Sequence, residues 1–423
     1  MQTMHAEVVH ARRALEALRN GVPNADAVRV LGCAQPHVLD RFDQQLDILA
    51  TATKQGTTAT TEGIIVTGDF GTGKSHLLEH LEQHALDRGF VVSRIVISKE
   101  TPLYDPAKVF AAAVRDARFP GGRGSVIHEL ALRVDYRTPS GSEFMAWALD
   151  QPGLIAATVH LHERSNDNEL HARILDFWSG EKIGVAEVRA GLKQVGSRGA
   201  FDVKTIKIRD LALLRFEFAA RLARAVGCNG WVLLIDEVEL LGRYSLQQRA
   251  KSYAELARWL GRVEQQAIPG ITTVATISED FDLKVLREKD DFVLVPERIR
   301  AKGGDDNIVL AARAEIGMRL IERDRLTLIL PTAETLRTTY DRLREVYERA
   351  YGPCADLEVS LQTATTPMRR YIRGWITEWD IRRLYPGERP EIETESITVD
   401  YDEDTALQQE PEGFEGTDDG GRE

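Results

Sequence analysis

Cysteine is scarce: only Cys33, Cys228 and Cys354 occur in 423 residues. Their odd number and wide spacing argue against a disulfide framework or a Cys-ligated zinc site. All three are expected as small buried apolar groups, in keeping with a reducing, cytoplasmic setting. No apolar run approaches 18 residues, so no membrane-spanning helix is expected. The opening MQTMHAEVVHARRALEAL has no signal-peptide apolar core. A charge excess is also missing from most of the chain. The net charge is −12, but residues 387–423 hold 14 acidic side chains against 2 basic ones. The other 386 residues carry 52 of each sign. The tail has few large apolar residues and is expected to be disordered, either simply solvating, or serving as a docking segment for a basic partner or as a DNA mimic that blocks a basic groove.

What is present is clearest at 64–78, IIVTGDFGTGKSHLL. Gly68, Gly73, Lys74 and Ser75 fit G-x-x-x-x-G-K-[ST], the phosphate-binding P-loop. A strand at 63–67 precedes it and an amphipathic helix at 75–87 follows, which is the context the motif needs. Gly68, Gly71 and Gly73 are expected to let the backbone take positive φ, so that successive N–H groups turn inward. The loop residues Asp69, Phe70 and Thr72, with His76 just beyond, would complete the cradle around ATP. The helix N-terminus adds a favourable field for anions. Lys74 would reach the β- and γ-phosphates, and the Ser75 hydroxyl would serve Mg2+.

The order of elements predicts an α/β fold, a doubly wound parallel sheet with the ligand at the carboxyl ends of its strands. Residues 1–52 read as a helical segment leaning on the nucleotide domain. The run 90–98 is a second strand, and roughly 105–205 reads as a mostly helical insertion that carries specificity. His160, His162 and His171 fall there and are expected as solvated rather than metal-binding, since positions two apart on a helix face different ways. A strong amphipathic helix at 211–227 leads to NGWVLLIDEVELLGRY. Here a buried strand, 231–235, ends in two adjacent carboxylates.

That acidic pair supplies what a phosphate loop alone lacks. Asp236 would hold Mg2+ through water, the Walker B role, and Glu237 would polarise the attacking water. The pair favours an ATPase with an additional strand between the two motifs. A helix at 245–266 and a strand at 269–282 follow. Thr276 and Ser278 near that strand's carboxyl end are candidates for a polar sensor, although β-propensity alone also explains threonines there. In DFVLVPERIR a short strand at 292–295 is expected, then Arg298 and Arg300. Arg298 is the candidate to reach a neighbouring subunit's γ-phosphate, against the alternative of a surface arginine. Residues 301–386 read as a helical lid. In its last helix, from Thr366 and Pro367 onward, Trp375 and Trp379 share a face and are expected in a core. Among Arg369, Arg370 and Arg373 one could sense nucleotide, with Arg370 the choice, or contact a nucleic-acid backbone.

EALRNGVPN, GDFGTGKSH, LLIDEVELLGR, RAKSYAELARW and MRRYIRGWITEWDIRRLYP together resemble the P-loop ATP-binding proteins of bacterial phage-defence islands. The likeness is to BREX ATP-binding, BrxD-like proteins, relatives of AAA+ and origin-recognition-type ATPases, and it spans most of residues 10–386. It implies ATP binding and hydrolysis, self-association or assembly with other defence-island proteins, and engagement of double-stranded DNA. It carries over no DNA-contacting residue, and the neutral body and acidic tail argue against tight DNA binding alone. Two function classes stay open. One is an AAA+-like ATPase coupling hydrolysis to remodelling or DNA-associated assembly. The other is a nucleotide-gated switch or scaffold with little turnover. A small-molecule kinase fits poorly, because the acidic pair is wrong for it.

Overall fold

The β-branched runs around residues 64, 91, 231 and 271 all become strands, and they pair in parallel. The computed structural model describes residues 2–122, 125–357, 367–385, 401–404 and 407. The chain opens with α1 (Gln2–Asn20), α2 (Ala25–Leu31) and α3 (Pro36–Lys54), then β1 (Ile64–Thr67), α4 (Lys74–Asp87) and β2 (Val91–Val96). Next come α5 (Pro106–Arg115), β3 (Ala117–Arg118), α6 (Val126–Arg133), α7 (Pro139–Leu149), α8 (Gly153–Arg164), α9 (Asn168–Trp178) and α10 (Val185–Gln194). Then α11 (Ile208–Ala225) leads to β4 (Trp231–Asp236), α12 (Leu246–Trp259) and β5 (Ile271–Ile277). The remainder is α13 (Asp291–Arg300), α14 (Asp305–Arg323), β6 (Arg325–Thr327), α15 (Ala333–Tyr351) and α16 (Met368–Leu384).

Among the described residues six strands lie in the order β3-β2-β4-β5-β1-β6, and of their pairings only β2–β3 is antiparallel. This is a P-loop-like α/β fold. Strands β1, β4 and β5 are buried along their whole length, which is why they read as continuous apolar runs rather than alternating ones. Their side chains alternate between two cores. Ile64, Val66, Val232 and Leu234 meet Phe42 and Leu46 of α3 and Leu78 and Leu81 of α4. Ile65, Leu233 and Ile235 point the other way, into a core shared with Phe110, Phe216, Tyr253 and Leu256. Register places Asp236 beside Val96 and Thr67 beside Ile277, so the carboxyl ends of four strands share one rim.

A third core stands apart from the sheet. Leu15 and Leu18 of α1 and Leu31 of α2 pack with Leu343 and Tyr347 of α15 and with Trp375 and Trp379 of α16. The first and last helices therefore form one unit, tied further by an ion pair from Arg19 to Asp380 at 2.6 Å. Trp379 is buried between Tyr340 and Tyr347, and its Nε1 donates to the Ala355 carbonyl at 3.0 Å.

Several expectations change. The run 292–295 is not a strand but part of α13. Asp291, Val295, Pro296 and Ile299 are its buried positions, a spacing of three to five residues along one face that belongs to a helix. A four-residue apolar run cannot distinguish the two states, and the buried Asp291, held by Arg249 at 2.9 Å, anchors the first turn. The helix expected over 245–266 ends at Trp259, with Gly261 at φ +66° just beyond. The helical piece at the carboxyl side starts later than residue 301, because α14 packs on α12 and α13 and β6 extends the sheet. Cys228 is buried, but Cys33 and Cys354 are only partly so. His160, His162 and His171 are packed rather than solvated. His162 bonds the Tyr136 hydroxyl at 2.8 Å and lies against His171 and Trp178, and burial pushes its pKa down to about 4. Thr366 lies outside the described residues, and Pro367 precedes α16. The tail is not wholly unstructured, since Tyr401–Asp404 sit against the core.

Replacing Trp379 with Ala should cost about 3–5 kcal/mol, the range for emptying a large buried aromatic site. Urea unfolding of the variant against the parent chain checks it, and α16 should unfold at lower denaturant than the sheet.

Candidate functional site

The site grows from the turn after β1. Gly71 and Gly73 take φ of +82° and +111°, which only glycine adopts without strain. Gly68 does not, contrary to expectation. Its requirement is space, because a Cβ there would lie 2.6 Å from Thr72 Oγ1. Thr72 closes the turn on itself, its N–H and hydroxyl both donating to the Asp69 carbonyl, at 3.2 and 2.7 Å. Gly73 precedes α4 without a side-chain cap. The first N–H groups of α4 therefore remain available to an anion. His76, one turn into α4, bonds the Gly32 carbonyl at 2.7 Å, and burial lowers its pKa. It braces the loop against α2.

Lys74 bends back over the loop. Its Nζ donates to the Gly68 carbonyl at 2.7 Å and lies 3.9 Å from Glu239 Oε1. Ser75 lines the same cleft. Across the cleft the end of β4 presents the acidic pair. Asp236 is buried, and both its oxygens are engaged. Oδ1 accepts from the Thr276 hydroxyl at 2.6 Å and from the Glu237 N–H at 3.1 Å. Oδ2 accepts from Arg94 Nη2 at 3.0 Å, and Arg94 also faces Glu79 at 3.7 Å. Thr276 reaches Asp236 because β5 is the immediate neighbour of β4, in register from Trp231↔Ile271 onward. Glu237 takes a left-handed φ of +61°, and its side chain turns into the cleft. Desolvation there, and then the Asp236 charge, raise its pKa, while Lys74 and Arg94 oppose the shift.

The sequence reading passed over Glu239. It sits two residues past the pair on the 3-10 turn Val238–Arg243, is 8% exposed, and lines the cleft with Oε2 unpartnered. Burial pushes its pKa up to about 7, with Lys74 pulling the other way. In EVELL it looks like an ordinary polar position between apolar ones, and only the 3-10 turn aims it at Lys74. Arg94 was missed for the same reason, since an arginine in a strand carries no motif.

The far wall of the cleft comes from the helical unit and the loops beside it. Gln35 exchanges two hydrogen bonds with the backbone of Ile329, at 2.9 and 2.8 Å, and ties the segment before α3 to the one after β6. Arg369, not Arg370, is the α16 arginine that lines the cleft. Its Nη2 donates to the Gly21 carbonyl at 2.8 Å, and its guanidinium lies 5.3 Å over the Phe70 ring. Arg373 is exposed on the same helix. Ser278 is turned away from Asp236 and bonds the Tyr401 hydroxyl. Arg298 is exposed on α13 and does not line the cleft. Asp69 to His76 and Glu237 thus line the cleft, Gly68, Asp236 and Thr276 adjoin these residues without lining it, and Arg298 and Arg370 are also outside the lining. Among the described residues there is no cluster of three or more His, Cys, Asp or Glu arranged to hold a metal, and no helix is long and apolar enough to cross a membrane.

A family model described as BREX system ATP-binding protein BrxC/D matches residues 9–119 and 154–284, more than half of the chain. The match takes in both the glycine-rich loop and the acidic pair. Neither the curated proteins nor the solved structures contain a match.

Glu239 gives the site a pH signature. A carboxyl whose folded-state pKa is raised contributes stability that is fully present below its ordinary value of 4.5 and is lost as pH rises through about 7. Glu239→Gln cannot ionise, so its stability relative to the parent should rise between pH 5 and 8, on the order of 2–3 kcal/mol. Urea unfolding across that pH range measures it.

Proposed function

The chain belongs to the BREX system ATP-binding protein BrxC/D family, and from that premise we propose that it is an AAA+-like ATPase. It would couple ATP hydrolysis to remodelling or DNA-associated assembly within this antiphage defence system. The observation that carries the reading is the cleft lined by Lys74, Ser75 and Glu237, with Asp236 next to Glu237 at the end of β4 and clasped by Thr276 from the intervening strand. One strand between β1 and β4 is the arrangement an additional-strand ATPase requires.

In this reading the N–H groups of 71–76 cradle the phosphates, and Lys74 leaves the Gly68 carbonyl for the β- and γ-phosphates. Ser75 and Asp236 would hold Mg2+. Their donors are all oxygen, which suits a hard cation, and the ion would neutralise charge on the transferring phosphoryl group. Glu237 orients and polarises the attacking water. Thr276 fixes the Asp236 carboxylate by its hydrogen bond, and from there it would act as the polar sensor of the γ-phosphate or the attacking water. Residues 53–300 with α14 and β6 form the ATPase core, and α1, α2, α15 and α16 together act as the lid. Arg369 is better placed than Arg370 to report on nucleotide from that lid. Arg298, exposed on α13, is offered to a neighbouring copy in a self-assembled ring or filament. The helices within 105–205 and other defence-island proteins would set what is remodelled. DNA would be engaged through such an assembly, and the chain would work in the cytoplasm.

The alternative of a nucleotide-gated switch is favoured by one observation. Arg94 occupies Asp236 Oδ2, and the Lys74 amine is already satisfied. A site that stays in this arrangement binds nucleotide and turns it over slowly.

Steady-state ATP turnover with and without double-stranded DNA separates the two. For the ATPase, Glu237→Gln should retain ATP binding and lose turnover by about 100-fold or more. Lys74→Ala should lose ATP binding itself. For the switch, turnover is negligible in the parent chain and Glu237→Gln changes little.

A further inference from the structure

The acidic tail carries a short segment that the rest of the chain holds in a built groove. Tyr401 is 6% exposed and stands edge-on to Phe281, with ring centroids 6.0 Å apart. Its hydroxyl donates to Asp280 Oδ1 at 2.8 Å and bonds Ser278. The ring passes so close to Gly242 that a Cβ there would lie 3.1 Å from Tyr401 Cδ1. Lys289 Nζ donates both to the Gly242 carbonyl and to the Tyr401 carbonyl. Two and three positions on, Glu403 accepts from Arg249 Nη1 at 2.8 Å and Asp404 from Arg243 Nη2 at 3.0 Å. The Asp404 N–H donates to the Arg243 carbonyl at 3.1 Å, the Leu407 N–H to the Asp404 carbonyl at 3.0 Å, and Leu407 packs against the large core.

These contacts read like recognition of a peptide. An apolar slot takes the ring, two oxygens at its floor take the hydroxyl, and three cations take a backbone carbonyl and two carboxylates. A segment that merely lay on the surface would not place its one aromatic ring in the core. Charge also separates the partners: the tail is acidic, and the groove offers Arg243, Arg249 and Lys289. Arg249 keeps Asp291 as a buried partner whether or not Glu403 is present, so the groove can stand without its occupant.

We infer that the groove between the 3-10 turn Val238–Arg243, the end of β5 and Lys289 is a docking site for a short linear motif. The motif is an aromatic hydroxyl followed by acids at the second and third positions and an apolar residue at the sixth. Its occupant is this chain's own Tyr401–Asp404 together with Leu407. The inference does not depend on ATP hydrolysis. It concerns the turn that follows Glu237, and it assigns part of the tail to the chain's own core rather than to solvent or to an outside basic partner.

A fluorescently labelled synthetic peptide of residues 397–410 tests it on the full-length chain. Tyr401→Ala should open the groove, so this variant should bind the peptide at least ten-fold more tightly than the parent, whose own tail competes. Adding Arg243→Glu to Tyr401→Ala should abolish capture, and a peptide with Asp404→Arg should restore it through the reversed pair. Hydrogen exchange on the parent chain is the independent check, with slowed exchange at Asp404 and Leu407 that is lost in Arg243→Glu. Equal peptide binding by parent and Tyr401→Ala, no binding by either, or unprotected Asp404 and Leu407 amides in the parent would overturn the inference.

Discussion

The site depends on one carboxylate. Asp236 is buried at the end of β4, where an unpaired charge would be costly. It is made tolerable by three donors that come from three different parts of the chain: Thr276 on β5, the N–H of Glu237, and Arg94 on β2. Thr276 and Arg94 reach it only because three strands are in parallel register at that rim, whereas the Glu237 N–H follows it directly in the chain. The same register sets the glycine-rich loop opposite. The sheet order and the charge arrangement are therefore one requirement seen at two scales. Arg94 gives Asp236 a cation from within the chain itself. That lets the rim fold with its charges balanced and leaves a side chain, 26% exposed, that can yield its place.

The cleft beside this rim has walls of different kinds. On one side it is backbone, the turn at 68–75, fixed by local geometry. On the other it is the unit of α1, α2, α15 and α16, which has its own core and meets the loop through a few polar contacts. His76 to the Gly32 carbonyl, the Arg369 N–H to the Gly71 carbonyl and the Arg369 guanidinium over the Phe70 ring are the ties. Hydrogen bonds of this sort contribute about 1 kcal/mol each. A wall held by a few of them can shift relative to the sheet without disturbing either core, which is what a site that must admit and release a ligand needs.

How much of this could be read from the residues depends on how local the signal is. The turn around Lys74 and the acidic end of β4 are legible because glycine spacing and a buried run ending in carboxylates encode them within a dozen residues. The helical character of 105–205 and the burial of Trp375 and Trp379 follow from periodicity. What was not legible is set by distance. Arg94 and Glu239 become part of the site only through strand order and a 3-10 turn. Whether Arg369 or Arg370 faces the loop is a matter of 100° on a helix whose placement is tertiary. The run 292–295 looked extended until the buried Asp291–Arg249 pair fixed it as a helix. Composition marked the tail as solvent-bound, and composition has no way to register that Tyr401 has a slot waiting beside Gly242.

The shared core of the first and last helices has a consequence for how the molecule is made. Leu15 and Leu18 find their partners on α15 and α16, and Arg19 pairs with Asp380, 361 positions later. At a synthesis rate of about 5–20 residues per second, α1 waits roughly 20–70 seconds for that surface to emerge. During that interval the sheet can close around its own two cores while α1, packed only on α2, still lacks α15 and α16. The order of assembly is thus inverted: α1 is translated before the sheet but completes its burial only once α15 and α16 have emerged, and the cleft acquires its second wall only then.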